Sequence, residues 1–177
     1  MNAEEFFALP EVRGTDHRLI RGRLVERPYP LRSPAHASVL ANLYGVLHGW
    51  KQQGWGIYGY GCSYRLTREP DTVISFDASV VPDSVLHTIP NNAMFLDGRP
   101  DLAIEVVDMA DSSDAVIEQV EWSLRSGVGA FWQIDPYRET VTVYRRNRTA
   151  ILYGKGDILD LTDILPGFIC HVATVFE

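Results

Sequence analysis

The sequence predicts an α/β domain built on a mixed β-sheet. A helical segment is followed by three strand-like apolar segments, a second helical segment and a pair of alternating strands. This order favours helices packed on a sheet that holds both parallel and antiparallel neighbours. With 177 residues, the chain is expected to form one domain, residues 1–177, with additional β-strands near both ends.

The first elements are marked by turn and capping residues. Residues 4–10 are typical of a short helix, and residues 19–26 of two strands joined by a tight turn. Ser33 and Pro34 form a helix start, with the serine as N-cap and the proline at the first helical position. Apolar residues then recur at helical spacing, and Gly54 ends this helix.

The central part of the chain predicts three strands. They cover residues 54–66, 73–81 and 101–108, with a polar loop over residues 84–100. Runs rich in aromatic and β-branched residues between turn residues are typical of strands.

The last third predicts a helix and then strands. Ser112 or Ser113 caps the helix, which Gly127 ends. Residues 130–135 and 140–145 alternate as a hairpin. Short strands are expected over the remaining residues.

Composition excludes several classes of protein. The hydrophobic content of 46% and the charged content of 22% are ordinary for a globular protein. No segment approaches the roughly 18 apolar residues of a membrane span, and the first residues do not form a signal peptide. Cys62 and Cys170 are too few for a disulfide framework or a zinc site. We therefore expect a cytoplasmic protein with no membrane partner.

The negative charge is concentrated in one segment. The net charge is −7, and residues 97–121 contain eight acids and a single base, Arg99. A solvated acidic surface and a cation-binding site both explain this segment. The acidic balance also excludes the broad basic surface of a strong nucleic-acid binder.

Two acids lie within apolar strand segments. Asp77 follows Phe76 in the second predicted strand, and Glu105 lies between Ile104 and Val106 in the third. A buried carboxylate is costly unless it is paired, hydrogen-bonded or bound to a cation. If the two strands are neighbours, side-chain alternation lets both carboxylates reach one divalent cation. The alternative is a salt bridge to one of the 14 arginines.

His36 is the other polar residue singled out here. Its spacing from Leu40, Leu43 and Leu47 places it on the inward face of the first long helix. A hydrogen-bonded core histidine is one interpretation. The other is a polar group beside the metal site. Asp101, which follows Pro100, is interpreted as an edge or turn residue.

The ordered set of motifs resembles the Uma2-like (DUF820) family of the PD-(D/E)XK nuclease superfamily. The resemblance covers nearly the whole chain and rests on six segments: LIRGRLVE at 19–26, SPAH at 33–36, FDASVV at 76–81, PDLAIEVV at 100–107, GVGAFWQIDP at 127–136 and LPGF at 165–168. It implies a restriction-endonuclease-like fold, with a mixed sheet flanked by helices.

The resemblance also implies a metal-dependent nuclease site. Carried over to this chain, Asp77 and Glu105 would bind Mg²⁺ or Mn²⁺, with the backbone carbonyl of Val106 as a further ligand. Such an ion activates water and stabilises charge on the phosphate oxygens. His36 matches the start of the first long helix in the family and is a secondary site candidate.

The lysine of the motif is missing. Val107 stands two residues after the strand acid, and Gln119 holds the place in the second helix where the family commonly has its lysine. The chain has only two lysines, Lys51 and Lys155. A neutral glutamine can still hydrogen-bond to water or to a phosphate oxygen.

We predict an Mg²⁺- or Mn²⁺-dependent endodeoxyribonuclease that binds DNA weakly or transiently and forms a homodimer or a higher homo-oligomer through exposed β elements. Asp77 and Glu105 hold the ion, Gln119 positions water or phosphate, and His36 supports the site. One alternative is a catalytically degenerate member that acts as a binding or interaction module. Another is a metal-dependent enzyme acting on a smaller anionic substrate.

Overall fold

The computed structural model describes residues 1–29, 31–51, 54–59, 62–87, 90, 92–147 and 149–177. The described helices are α1 (Ala3–Phe7), α2 (Pro34–Trp50), α3 (Asp83–Leu86), α4 (Ser113–Arg125) and α5 (Ala173–Phe176). The strands in the first half are β1 (Thr15–Ile20), β2 (Arg23–Pro28), β3 (Trp55–Tyr58), β4 (Cys62–Thr67), β5 (Thr72–Phe76) and β6 (Ala78–Pro82). Those in the second half are β7 (Leu96–Asp97), β8 (Leu102–Val106), β9 (Ala130–Asp135), β10 (Thr140–Arg145), β11 (Ala150–Gly154), β12 (Ile158–Asp160) and β13 (Ile169–His171).

These strands form two large sheets and one small one. The six-stranded sheet has the order β11-β10-β9-β8-β6-β3, the five-stranded sheet has the order β2-β1-β5-β4-β7, and β12 pairs with β13. In the six-stranded sheet β8 runs parallel to β9 and antiparallel to β6. The predicted α/β fold with a mixed sheet and flanking helices is therefore confirmed.

Helices pack on both faces of the six-stranded sheet. On one face, Val39, Leu43 and Leu47 of α2 join a cluster with Leu102 and Ile104 of β8. On the other face, Ala103, Val81 and Phe131 pack with Val120 of α4 and with the five-stranded sheet. Successive residues of β8 thus point to opposite faces, as the sequence predicted.

Caps and turns follow the local sequence closely. The Ser33 side chain accepts a hydrogen bond from the backbone N–H of His36 at the start of α2, and Ser112 does the same for Ala115 at the start of α4. Arg21 and Gly22 both have positive φ in the β1–β2 turn, as a two-residue hairpin favours. The β9–β10 hairpin is also as predicted.

Two of the predicted strands are wrong as single elements. The segment 54–66 contains β3 and β4, which belong to different sheets; residues 60 and 61 lie outside the described residues. The segment 73–81 divides into β5 and β6, also in different sheets, with Asp77 between them. Both segments are strand-like throughout, so their composition did not indicate that the chain passes from one sheet to the other within them.

The ends of several elements also differ from prediction. The first helix ends at Phe7, and the predicted loop over 84–100 contains most of α3 and all of β7, with residues 88, 89 and 91 outside the described residues. The C-terminal segment contains α5 as well as strands, and α5 packs against α2. Short elements of this kind depend on tertiary contacts because their local signals are weak.

Candidate active site

Asp77 lies where the chain passes from the five-stranded to the six-stranded sheet. The residue is 2% exposed, and its Oδ2 accepts hydrogen bonds from the backbone N–H of Val106 (2.9 Å) and from Nε2 of His36 (3.2 Å). Tyr44 of α2 donates to the Asp77 carbonyl at 2.7 Å. The sequence predicted Asp77 in the middle of a strand; it instead lies at the junction between two strands.

The strand pairing places Asp77 beside Glu105. In the antiparallel β6–β8 pair, Ala78 lies opposite Ile104 and Ser79 opposite Ala103. One step further along the same register, Asp77 and Glu105 are opposite each other on adjacent chain segments. The structure therefore meets the condition, set by the sequence, that the two strands be neighbours.

Glu105 is half-buried and lies among charged groups. Burial and the nearby Asp77 carboxylate raise the pKa of Glu105 well above its ordinary value, although Arg18, Arg32 and the hydrogen bond from Gln119 oppose this effect. Two carboxylates in a desolvated site repel each other, so a proton or a cation is favoured there.

Glu105 also lines a small cavity. The cavity has a volume of about 40 Å³ and lies between β1, β8, α4 and the segment preceding α2. Its lining includes Arg18, Arg32, Asp111 and Gln119. This volume suits an ion or a few water molecules but not a nucleotide.

Gln119 joins helix α4 to this carboxylate. Its side chain is 5% exposed, and its Nε2 donates to Glu105 Oε1 at 2.6 Å and to the Ser75 carbonyl at 3.3 Å. Its Oε1 accepts from Arg18 Nη1 at 2.6 Å. The helix register thus brings the residue in the place of the missing lysine directly to Glu105.

His36 lies in the first turn of α2 and is 3% exposed. It points inward, as its spacing predicted, and its ring contacts the Asp77 carboxylate. Both interpretations of His36 agree with this contact, because the hydrogen-bond partner of this buried histidine, Asp77, is also the candidate metal ligand.

Val106 contributes to the site through its backbone. Its N–H donates to Asp77, while its side chain is fully buried with Ile104 in the core. A role for its carbonyl as a metal ligand stays a prediction. Asp101 lies immediately before β8; its N–H donates to the Val80 carbonyl at 2.9 Å and its carbonyl accepts from Ala130 at 2.8 Å. Its backbone thus bonds to the segments on both sides, so the structure does not place it at an edge of the sheet.

Sequence reasoning missed the two arginines. Arg18 comes from β1, and Arg32 from the segment before α2, where its Nη1 donates to Asp111 at 2.7 Å. Burial disfavours the charge on Arg32, but Asp77, Asp111 and Glu105 raise its pKa above the ordinary value. Neither arginine had a distinguishing local signal, because their approach to Glu105 depends on packing between distant segments.

A second polar cluster connects the end of β8 to the start of α2. Asp108 accepts from the backbone N–H of Ser33 at 2.6 Å and from the hydroxyl of Tyr137 at 2.7 Å. Hydrogen bonds to its charged form lower the pKa of Asp108 even though burial opposes this. This cluster fixes the position of α2, which carries His36, relative to β8, which carries Glu105.

The donor set for a metal at this site is small. Among the described residues, no group of three or more His, Cys, Asp and Glu side chains is arranged to hold a metal ion. Two carboxylates remain, and they suit Mg²⁺ or Mn²⁺, hard cations that commonly keep several water ligands. Asp77 Oδ2 accepts two hydrogen bonds, and among the described residues no side-chain hydrogen bond is made to its Oδ1.

Known proteins resemble this chain in sequence and in fold. The sequence model of a family named Uma2 and described as "Putative restriction endonuclease" matches residues 3–173. A crystal structure of "a putative nuclease belonging to DUF820" from Anabaena variabilis has a TM-score of 0.80 and 20% sequence identity, covering 99% of this chain and 97% of that one. At this identity the likeness shows a shared fold.

Two further findings are negative. No curated protein matches the chain. Within the part of the chain that the structure describes, no helix combines the length and the apolar character needed to cross a bilayer. The match over residues 3–173 nevertheless covers almost the whole sequence, so the chain belongs to the Uma2 family of restriction-endonuclease-like proteins.

Proposed function

We propose that this protein is an Mg²⁺- or Mn²⁺-dependent endonuclease that hydrolyses DNA phosphodiester bonds. The observation that carries the proposal is the juxtaposition of two carboxylates: Asp77 lies directly before β6, and Glu105 lies on the neighbouring strand β8. Burial and Asp77 both raise the pKa of Glu105. A divalent cation would relieve the repulsion between them. The family description as a restriction endonuclease supports DNA as the substrate.

The residues present fit such an ion. Glu105, which lines the cavity of about 40 Å³, and the neighbouring Asp77 would provide hard carboxylate oxygen ligands. The Val106 carbonyl is the third ligand that we propose. When bound, Mg²⁺ or Mn²⁺ lowers the pKa of water and stabilises negative charge on phosphate oxygens.

The protein's own side chains orient these ligands. His36 and the N–H of Val106 both hold Asp77 Oδ2, which fixes the direction of the other oxygen. The Gln119 amide holds Glu105 Oε1 in the same way. Hydrogen bonds from outside the ligand set commonly fix ligand geometry at metal sites.

The surroundings of the site predict weak DNA binding. A groove of about 520 Å³ adjoins the small cavity and shares Val107, Asp111 and Val116 with it. Asp108 and Asp135 also line this groove. Carboxylates there would repel a phosphate backbone, so we propose a weak and transient contact with DNA.

One observation favours the alternative, a degenerate binding module. Arg18 and Arg32 both bring positive charge to Glu105, and Gln119 hydrogen-bonds to it. Such an arrangement can neutralise a buried carboxylate without a metal. The alternative therefore predicts a protein that folds normally and binds neither Mg²⁺ nor Mn²⁺.

The test is a nicking assay on supercoiled plasmid and on single-stranded DNA, with Mg²⁺ or Mn²⁺. It compares the wild type with Asp77→Asn, Glu105→Gln and a control, Glu121→Ala, which removes an exposed acid from α4. Calorimetric titration with Mn²⁺ measures ion binding by the same four proteins, and circular dichroism verifies that each is folded.

Cleavage and Mn²⁺ binding that are lost in both site variants and retained in Glu121→Ala would support the proposal. A wild-type protein that neither binds Mn²⁺ nor cleaves DNA would establish the binding module instead. Tight Mn²⁺ binding without DNA cleavage would overturn the nuclease and favour an enzyme acting on a smaller anionic substrate.

A further inference from the structure

Arg18 reaches the site from the other large sheet. It lies on β1 of the five-stranded sheet, whereas Glu105 lies on β8 of the six-stranded sheet. Arg18 Nη1 donates to Gln119 Oε1 at 2.6 Å, and Gln119 Nε2 donates to Glu105 Oε1 at 2.6 Å. The three side chains form a continuous chain of hydrogen bonds between the two sheets.

The chemistry of the partners fixes the direction of these bonds. A guanidinium only donates hydrogen bonds, so the amide between the two groups has its oxygen towards Arg18 and its nitrogen towards Glu105. Rotating the Gln119 amide by half a turn would break both bonds. Arg18 therefore keeps the amide nitrogen of Gln119, and not its oxygen, directed at Glu105.

The position of Arg18 is itself held by a charged partner. Its Nε donates to Asp16 Oδ2 at 3.0 Å, and its side chain is 22% exposed. Arg18 and Arg32 both line the small cavity, but Arg32 Nη1 bonds to Asp111, whereas Arg18 Nη1 bonds to the group that holds Glu105. Among the described residues, Arg18 is thus the cation linked to Glu105 through one hydrogen-bonded side chain.

We propose that Arg18 is the positively charged positioning residue of this active site, orienting Gln119 and Glu105 and giving the cavity the positive charge that no lysine supplies. The inference rests on the proposed nuclease function for its effect on cleavage. The positively charged side chain of the site then comes from strand β1 of the five-stranded sheet, and the neutral amide comes from helix α4.

A sharp consequence concerns position 119. A lysine there would bring an ammonium group to the Arg18 guanidinium, and like charges in a partly buried site repel. Gln119→Lys alone is then unfavourable. The same substitution becomes favourable once Arg18 is neutral, because the ammonium can take over the contact with Glu105.

The experiment uses Arg18→Gln, Gln119→Lys, the double variant and a control, Arg23→Gln, which removes an exposed arginine after the β1–β2 turn. Three quantities are measured: the plasmid-nicking rate, the affinity for Mn²⁺ by calorimetry, and the urea midpoint of the metal-free protein. The control is expected to resemble the wild type in all three.

For Arg18→Gln we expect nicking to slow by about 10²–10³-fold, the usual effect of losing one charge-stabilising group. Mn²⁺ should bind roughly tenfold more tightly, because glutamine at position 18 can still donate an N–H to Gln119 while the charge that repels the ion is gone. This opposite movement separates a charge effect from structural damage, which would weaken both. The double variant should recover nicking to within about tenfold of the wild type, whereas Gln119→Lys alone should be slow.

Three results would overturn the inference. They are weaker Mn²⁺ binding together with slower nicking in Arg18→Gln, unchanged nicking in Arg18→Gln, and effects of the two substitutions that simply add. If wild type cleaves no DNA, the nuclease proposal fails, and the urea midpoints decide the placement of the charge. If Gln119→Lys lowers the urea midpoint only where Arg18 is present, the placement of the charge on Arg18 is supported. If the effects of the two substitutions on the urea midpoint simply add, that placement is refuted.

Discussion

The Asp77 carboxylate accepts a hydrogen bond from the backbone N–H of Val106 at 2.9 Å, across the point where the chain passes between the two large sheets. Both residues are buried, so neither group has water as an alternative partner. This contact gives Asp77 a structural role besides the proposed metal role. The candidate ligands Asp77 and Glu105 therefore differ, and substitutions at the two positions should have opposite effects on stability.

Asp77→Ala should destabilise the metal-free protein by about 2–3 kcal/mol, because the Val106 N–H would be left buried without an acceptor. His36 would lose the same partner. Asp77→Asn keeps an oxygen acceptor in place and should cost less than half as much. Urea unfolding of the two variants measures the difference. Equal losses would show that the hydrogen bond from Val106 contributes little.

Glu105→Gln should stabilise the metal-free protein at pH 8 by about 1–2 kcal/mol, because burial and Asp77 raise the pKa of this carboxyl and disfavour its charged form. Glutamine keeps an oxygen that can accept from Gln119. Thermal unfolding in EDTA measures the gain, and Mn²⁺ should then stabilise the wild type more than the variant. Destabilisation by Glu105→Gln would mean that the arginines already compensate this charge fully.

Gly129→Ala should displace β8 relative to β9. A Cβ at Gly129 would lie 2.5 Å from the carbonyl oxygen of Asp101, which accepts the N–H of Ala130. A clash with backbone cannot be relieved by a rotamer change, so we expect a loss of about 1–3 kcal/mol. The control is Gly45→Ala in α2, where nothing lies within 4 Å and the substitution should stabilise by about 0.5–1 kcal/mol. Similar midpoints for the two variants would contradict this account.

The predicted homo-oligomer can be tested at strand β11. It lies at the end of the six-stranded sheet, and Leu152 on it is 65% exposed. Exposed apolar edge strands favour pairing with a second copy. Leu152→Lys should therefore shift the protein towards the monomer in analytical ultracentrifugation. Met94→Lys, at a position equally exposed at 65%, should not. A wild-type protein that is monomeric at micromolar concentration would refute the expectation.

Burial of the short β12–β13 sheet can be tested through Cys170. Burial raises the pKa of its thiol to about 11, so the thiolate is scarce at pH 8. Alkylation by iodoacetamide should be on the order of 100-fold slower than for a free thiol with a pKa of about 8.5. The rate should rise about tenfold per pH unit up to pH 10, because the reactive form is deprotonated. Peptide mass spectrometry distinguishes Cys170 from Cys62, and a rate that levels off near pH 9 would contradict the burial.

Part of the site was predictable because its signals are local. Asp77 and Glu105 stand out as acids in apolar strand segments, and alternation along β8 fixes the face that Glu105 shares with Ala103. The Ser33 cap and the helical spacing after it place His36 on the inward face of α2. Gln119 was found by the resemblance to a family, since nothing in its neighbourhood marks it as a site residue.

The sequence by itself determined the α/β class and the mixed sheet through the order of its elements. It also determined the two long helices and the pair of acids, because these depend on periodicity, capping or apolar neighbours within a short segment. The tertiary structure alone decided that the chain changes sheets at Asp77 and that Arg18 meets Gln119. Arg18 and Gln119 are 101 residues apart in the sequence. A contact between two sheets depends on how the layers pack, and no pattern within either segment specifies that geometry.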